Sequence, residues 1–250
     1  MDSSIIILVI GSVFLGSLMR STFGFGDSVV SMPLLALLPI PFSDAVALVG
    51  LVGFTVALLS VFSSWKHLDK TVLKWLSATT LIGIPFGLFL VQSVDPYWVN
   101  LALGLLLLSY AAYALFSSQK RMARMHRRFE NNTAAVPFGF LSGMLGSAYN
   151  MNGIPIVLYG TMKNWAPTPF KNNLQAHFII SSSLIIFSHF LSGFWTRDVG
   201  VYYLFSLPAI VLAILAGNAL YARIDTNRFR RYVLWLIFFL GLSTLLNTLL

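Results

Sequence analysis

Two ionisable residues of opposite sign, Arg20 and Asp27, stand seven positions apart in the stretch GSLMRSTFGFGDSVVSMP at 16–33. A guanidinium matches the oxygens of a sulfonate or carboxylate with a planar fork of donors, so Arg20 is a candidate anion ligand. Asp27 can pair with Arg20, take up a proton, or cap a following helix. A second stretch, GMLGSAYNMNGIPIVLYG at 143–160, carries no charge but brings Asn150 and Asn152, whose amides hydrocarbon cannot satisfy. Each stretch reads as a half-helix, a polar glycine-rich break, and a second half-helix with proline near its start. Helix starts at Ser28 and Gly153 would offer unpaired backbone N–H groups and positive dipole ends, a ready anion site. Gly24 and Gly26 let backbone approach a ligand, and Thr22, Ser147, Tyr149, Asn150 and Asn152 can add hydrogen bonds. Those side chains can equally satisfy the broken backbone. Pro155 suits a first helical turn, where its missing N–H is not needed.

These breaks have to be positioned by membrane helices. The chain of 250 residues is 57% hydrophobic and 10% charged, with mean hydropathy +0.81, whereas soluble domains carry roughly 25% charged residues. Its net charge of +8 does not point to nucleic acid, because the basic residues lie between apolar segments and no basic groove interleaved with aromatics is visible. With no cysteine, disulfides, thiolate catalysis and cysteine metal sites drop out. Segment 5–19 lacks a basic start and runs straight into the first break, so it reads as retained, not as a signal peptide. At about fifteen residues it is short for a span. Segment 28–39 follows the break, and spans of full length come at 45–63, 72–91 and 97–116. After a basic linker, 134–147 and 153–162 flank the second break, and full spans follow at 173–194, 200–221 and 232–250. The domain reading is therefore a first membrane repeat at 1–118, a basic linker at 119–133 and a second repeat at 134–250.

Charge decides how the second break crosses. If 134–162 crossed once, nine of the fifteen basic residues other than Arg20 would share one side and six the other. If it turns back as a hairpin, fourteen share one side and only Arg197 is opposite. The positive-inside rule selects the hairpin, with the linker cytoplasmic and the C-terminus outside. The first break has no Lys or Arg at its flanks, so charge is silent there. By analogy it is a hairpin entering from the opposite face, which gives two inverted repeats whose tips meet near the midplane.

At these two stretches the chain resembles the sulfite exporter TauE/SafE family of membrane permeases, which has one glycine-rich motif per half. The first motif reads here Gly16, Gly24, Gly26, Asp27, Pro33, Leu34. The second reads Gly139, Gly143, Gly146, Asn152, Gly153, Ile154, Pro155, Ile156, Val157, Leu158, Tyr159. Asp27 stands where the family has glycine, Arg20 where a small residue is usual, Asn150 where glycine is common, and Ile154 in place of the first proline of a pair. These departures fall in the expected site and bear on the substrate more than on the fold. The resemblance implies a permease for small anions, in the family often sulfite or organosulfonates, exported in some members.

Other residues compete for a role. Arg20 could instead cap segment 5–19 at the cytoplasmic face. His177, with Ser181 one turn on, could face a cavity and titrate, or make a structural hydrogen bond. His189 lies twelve residues later, about 18 Å along a helix, too far for a metal pair. An intramembrane protease would need Ser147 and His177 together, yet no glycine follows the serine, and a single acidic residue at depth excludes an aspartyl dyad. A membrane assembly subunit would not need two matched polar breaks. The expectation is an all-α polytopic membrane protein of two pseudo-repeats, moving a small anion with Asp27 or His177 as proton couplers. It needs no cofactor or metal, has the lipid bilayer and the anion as partners, and is compatible with a homo-oligomer.

Overall fold

The computed structural model describes residues 3–60, 68–116, 132–163, 165–221 and 226–249, and these form ten α-helices and no strand. They are α1 (Ser3–Phe23), α2 (Asp27–Ala36), α3 (Phe42–Ser60), α4 (Lys70–Ser93), α5 (Pro96–Phe116), α6 (Ala135–Tyr149), α7 (Gly153–Met162), α8 (Pro167–Leu191), α9 (Arg197–Tyr221) and α10 (Thr226–Leu249). Five, namely α1, α3, α4, α8 and α9, contain described apolar stretches long enough to cross a bilayer. Large apolar side chains such as Phe86, Phe89, Leu204, Phe205, Leu212 and Phe239 face outward, as suits a surface solvated by lipid tails. The linker at 119–131, Trp65, Lys66 and Arg223 lie outside the described residues.

Both interrupted segments fold back on themselves. Ser31 Oγ on α2 donates to the carbonyl of Ser12 on α1 at 3.1 Å, and Gly16 leaves room for Ser31, whose hydroxyl a Cβ there would strike. In the second segment Ser142 Oγ donates to the carbonyl of Asn152 at 2.8 Å, and the rings of Phe138 and Tyr159 meet at 5.5 Å. The two ends of that hairpin come together where Lys163 Nζ donates to Asn132 Oδ1 at 2.6 Å. Segment 5–19 is longer than its apolar run suggests: α1 has 21 residues, because Ser3, Ser4 and Arg20 to Phe23 continue the helix. Pro33 is not near a helix start either. It is the seventh residue of α2, where it cannot donate to the carbonyl of Val29.

Close packing between helices follows glycine. Gly83 and Gly87 on α4 face Gly139 and Gly143 on α6, and a Cβ on any of the four would collide with an atom of the opposite helix. This is a small-xxx-small contact on both sides of one interface. Gly217 on α9 lies against Leu18, Ser21 and Thr22 of α1, and Gly104 on α5 crosses Gly241 on α10. Each of these three pairs joins a helix before the linker to one after it. At one end of the bundle the Asp69 N–H donates to Asn173 Oδ1 at 2.9 Å, beside Lys163. At the other, Thr196 Oγ1 donates to Asp44 Oδ2 at 2.9 Å.

Candidate functional site

The two hairpin tips turn for different local reasons. At the first, Gly24 (φ 82°) and Gly26 (φ 95°) adopt left-handed backbone between α1 and α2, which costs glycine little. At the second, Asn150 takes φ 55°, a conformation asparagine tolerates better than most residues. Its side-chain amide donates to the carbonyl of Val46 on α3.

Between the tips lies a cavity lined by Phe25, Gly26, Asp27, Ser28 and Val29 from the first hairpin, Met151, Asn152, Gly153 and Ile154 from the second, and Phe178 from α8. The first turns of α2 and α7 therefore both border it, so two positive dipole ends converge there. The cavity is small, with roughly the room one water needs.

Arg20 and Asp27 form a buried ion pair. Arg20 Nη1 donates to Asp27 Oδ2 at 2.7 Å, and the guanidinium carbon sits 4.9 Å from the centroid of the Phe178 ring. Arg20 Nη2 is buried and has no hydrogen-bond partner among the described residues. Arg20 does not line the cavity; it stands one layer behind Asp27 and Phe178, which do. Gly53 on α3 makes the pair possible, since a Cβ there would lie 2.7 Å from Asp27 Oδ2 and 3.4 Å from Arg20 Nη1. Asp27 makes no side-chain cap: the residue before α2 is Gly26, and no side chain bonds that helix start.

The remaining candidates divide by where their polar atoms go. Gly24 offers its carbonyl to Gln175 Nε2 on α8 at 2.9 Å, which ties the first tip to that helix. Asn152 borders the cavity, with Nδ2 donating to Ser181 Oγ at 2.7 Å, and Gly153 opens α7 against Phe178. Thr22 Oγ1 bonds back to Leu18 within α1. Ser147 Oγ donates to carbonyls of Ile84 and Gly143 at the α4–α6 contact, and Tyr149 OH donates to the carbonyl of Val99. Thr22, Ser147, Tyr149 and Asn150 are thus absent from the cavity wall.

His177 is fully buried and lies 3.0 Å from Ser142 Oγ, not against Ser147. Since the Ser142 proton goes to the Asn152 carbonyl, hydrogen-bond logic assigns the proton of the shared contact to His177 Nε2. Ser142 is then the acceptor, the opposite of a serine activated by a base. His189 Nε2 likewise donates to the Ser147 carbonyl at 2.9 Å. The Ser147–His177 pair that a protease would need does not form.

Phe178 and Gly53 carry no signal in the sequence, because an aromatic or a glycine in an apolar span ordinarily packs as core. Gln175 stands out as a polar residue opening a full span, but its contact with Gly24 lies across 151 positions.

A protein-family model described as sulfite exporter TauE/SafE matches residues 8–244 of the chain. Neither the curated proteins nor the solved structures contain a match.

Proposed function

We propose that this chain, which belongs to the sulfite exporter TauE/SafE family, is a secondary transporter that binds a small anion between its two hairpin tips. Membership in a transporter family and the apolar helices make it an integral membrane protein. The substrate class is sulfite, an organosulfonate or a carboxylate. The observation that carries this reading is the meeting of the starts of α2 and α7 at one cavity, with a buried guanidinium behind it. Two helix dipoles and backbone N–H groups attract an anion without a net side-chain charge, because Asp27 neutralises Arg20.

That neutralisation supplies a route to proton coupling. Protonating Asp27 removes the charge that holds Arg20 Nη1, so the guanidinium becomes available to the anion, and proton and anion binding favour each other. Among the described residues Arg20 is the charged group paired with Asp27, and Gly53 of α3 lies against the carboxylate. His177 is a weaker coupler, since it does not border the cavity.

The pairing of helices supports two pseudo-repeats. If α1–α5 correspond to α6–α10 in order, then α1 against α9 matches α6 against α4, and α5 against α10 matches itself. Opposed entry of the hairpins places the N-terminus and C-terminus outside the cell membrane and the linker in the cytoplasm. A cysteine at Ser3 is expected to react with an impermeant thiol reagent added outside intact cells, while one at Lys120 reacts only after permeabilisation. Labelling of Ser3 only from the cytoplasm sinks the inverted arrangement.

Counterflow in proteoliposomes tests the function itself. Vesicles loaded with sulfite are expected to accumulate labelled sulfite or methanesulfonate, faster when the outside is more acidic. A protein that exchanges none of sulfite, C1–C3 sulfonates or acetate would remove the anion reading.

A further inference from the structure

Phe178 touches both the Arg20 guanidinium and the start of α7. Its ring face lies over the Arg20 guanidinium at 4.9 Å, and the side chain forms part of the cavity wall. The far end of the ring presses on the start of α7, where a Cβ on Gly153 would stand 2.8 Å from its Cζ. The ring therefore bridges the two hairpin tips, from Arg20 behind the first to Gly153 opening the second. It is nearly fully buried, at 2% exposure. Arg20 Nη2 finds no acceptor among the described residues, and the cavity has room for about one water.

We infer that Phe178 is a shutter between the anion cavity and Arg20, and that its size sets the largest anion the site accepts. With the ring in place, the guanidinium is held by its π face and by Asp27, and no anion reaches it. When the ring rotates away from Gly153, the cavity gains the volume the ring vacates and Arg20 Nη2 gains an oxyanion to bond. A small pyramidal or tetrahedral oxyanion fits that vacated volume, and longer sulfonates are excluded by what remains of the ring. Gln175, one turn earlier on α8, keeps the first tip in register during this motion by its bond to Gly24. Glycine at 153 is required because any side chain there meets the ring edge.

The inference rests on the cavity being the anion site, and two measurements separate its failure from the failure of that reading. The first is uptake of sulfite and of methane-, ethane- and propanesulfonate into proteoliposomes by the wild type, Phe178→Leu, Phe178→Ala and Phe178→Trp. The smaller side chains are expected to raise kcat/KM for propanesulfonate relative to sulfite by roughly tenfold or more, and Phe178→Trp to lower it. The second is phenylglyoxal modification of Arg20, followed by peptide mass spectrometry with exposed Arg197 as the internal reference. Modification is expected to be slow in the wild type, at least fivefold faster in Phe178→Leu, and slowed again by sulfite. If the wild type moves no anion, the site assignment falls while the labelling still decides whether the ring shields Arg20. If the wild type transports and both the selectivity ratio and the Arg20 labelling rate of Phe178→Leu stay within twofold of it, the shutter is overturned. Phe178→Leu removes the ring but keeps a large apolar side chain, so the labelling result survives even if Phe178→Ala does not fold.

Discussion

Arg20→Ala is expected to reduce kcat/KM for anion uptake roughly 10²–10³-fold, the scale of losing a buried charged partner. Two effects would be mixed in that single variant. Removing the guanidinium leaves Asp27 buried without its counter-ion, which destabilises a protein by about 3–5 kcal/mol. The double variant Arg20→Ala/Asp27→Asn removes both charges and is expected to recover most of the thermal stability but none of the transport. Arg20→Lys retains charge and loses the planar fork, so an intermediate loss near tenfold is expected. Thermal midpoints and uptake on the same four proteins decide the matter. If the double variant transports like the wild type, Arg20 is a structural cation and the anion is held by helix ends alone. The sequence alternative, a cap at the membrane face, is already disfavoured because Arg20 is 5% exposed and paired in the interior.

Gly143→Ala is expected to destabilise more than any surface substitution and to leave little folded protein when the change is to leucine. The added Cβ collides with the carbonyl oxygen of Thr80, and backbone on the facing helix cannot give way as a flexible side chain would. Overpacking of this kind costs about 1–3 kcal/mol, sometimes more. At roughly 2–4 °C per kcal/mol for a chain of this size, a fall of about 2–12 °C in midpoint is expected for alanine. Gly11 and Gly200, also helical, provide the contrast, since a Cβ on either meets nothing within 4 Å. Alanine there should be neutral or mildly stabilising, given its better helix propensity. Equal midpoints for Gly143→Ala and Gly11→Ala in detergent would show that the α4–α6 contact does not hold the bundle together.

The fold-back of the second segment was legible because membrane topology is written in Lys and Arg counts, and the alternative crossing spread them nearly evenly. The cavity between the tips was legible to the extent that it consists of backbone: Gly26, Asp27, Ser28, Asn152 and Gly153 border it, and a helix start after a glycine-rich break is readable from residue types alone. Ser147, Tyr149 and Thr22 were not separable from them, since a hydroxyl in an apolar span looks the same whether it awaits a ligand or bonds a neighbouring carbonyl. Gly16 and Gly143 illustrate the limit of motif alignment. Each belongs to the motif of its own half, yet they do different things: Gly16 admits α2 within the first hairpin, whereas Gly143 admits α4. Phe178 was invisible for the opposite reason: nothing about a phenylalanine in a span marks the cation or the glycine it touches.

The pairing of α4 with α6 and of α1 with α9 has a consequence for biosynthesis. When synthesis has reached the linker, the glycine-lined flank of α4 and the flank of α1 that will receive Gly217 have been made, while the helices that fill them have not. Neither groove can close until its later partner enters the bilayer, α6 soon after the linker and α9 almost at the end. The first half must therefore wait in lipid with these two seams and the Gly104 face of α5 unfilled; α9 meets a helix made some 190 residues before it, and the insertion of α10 against α5 completes the molecule.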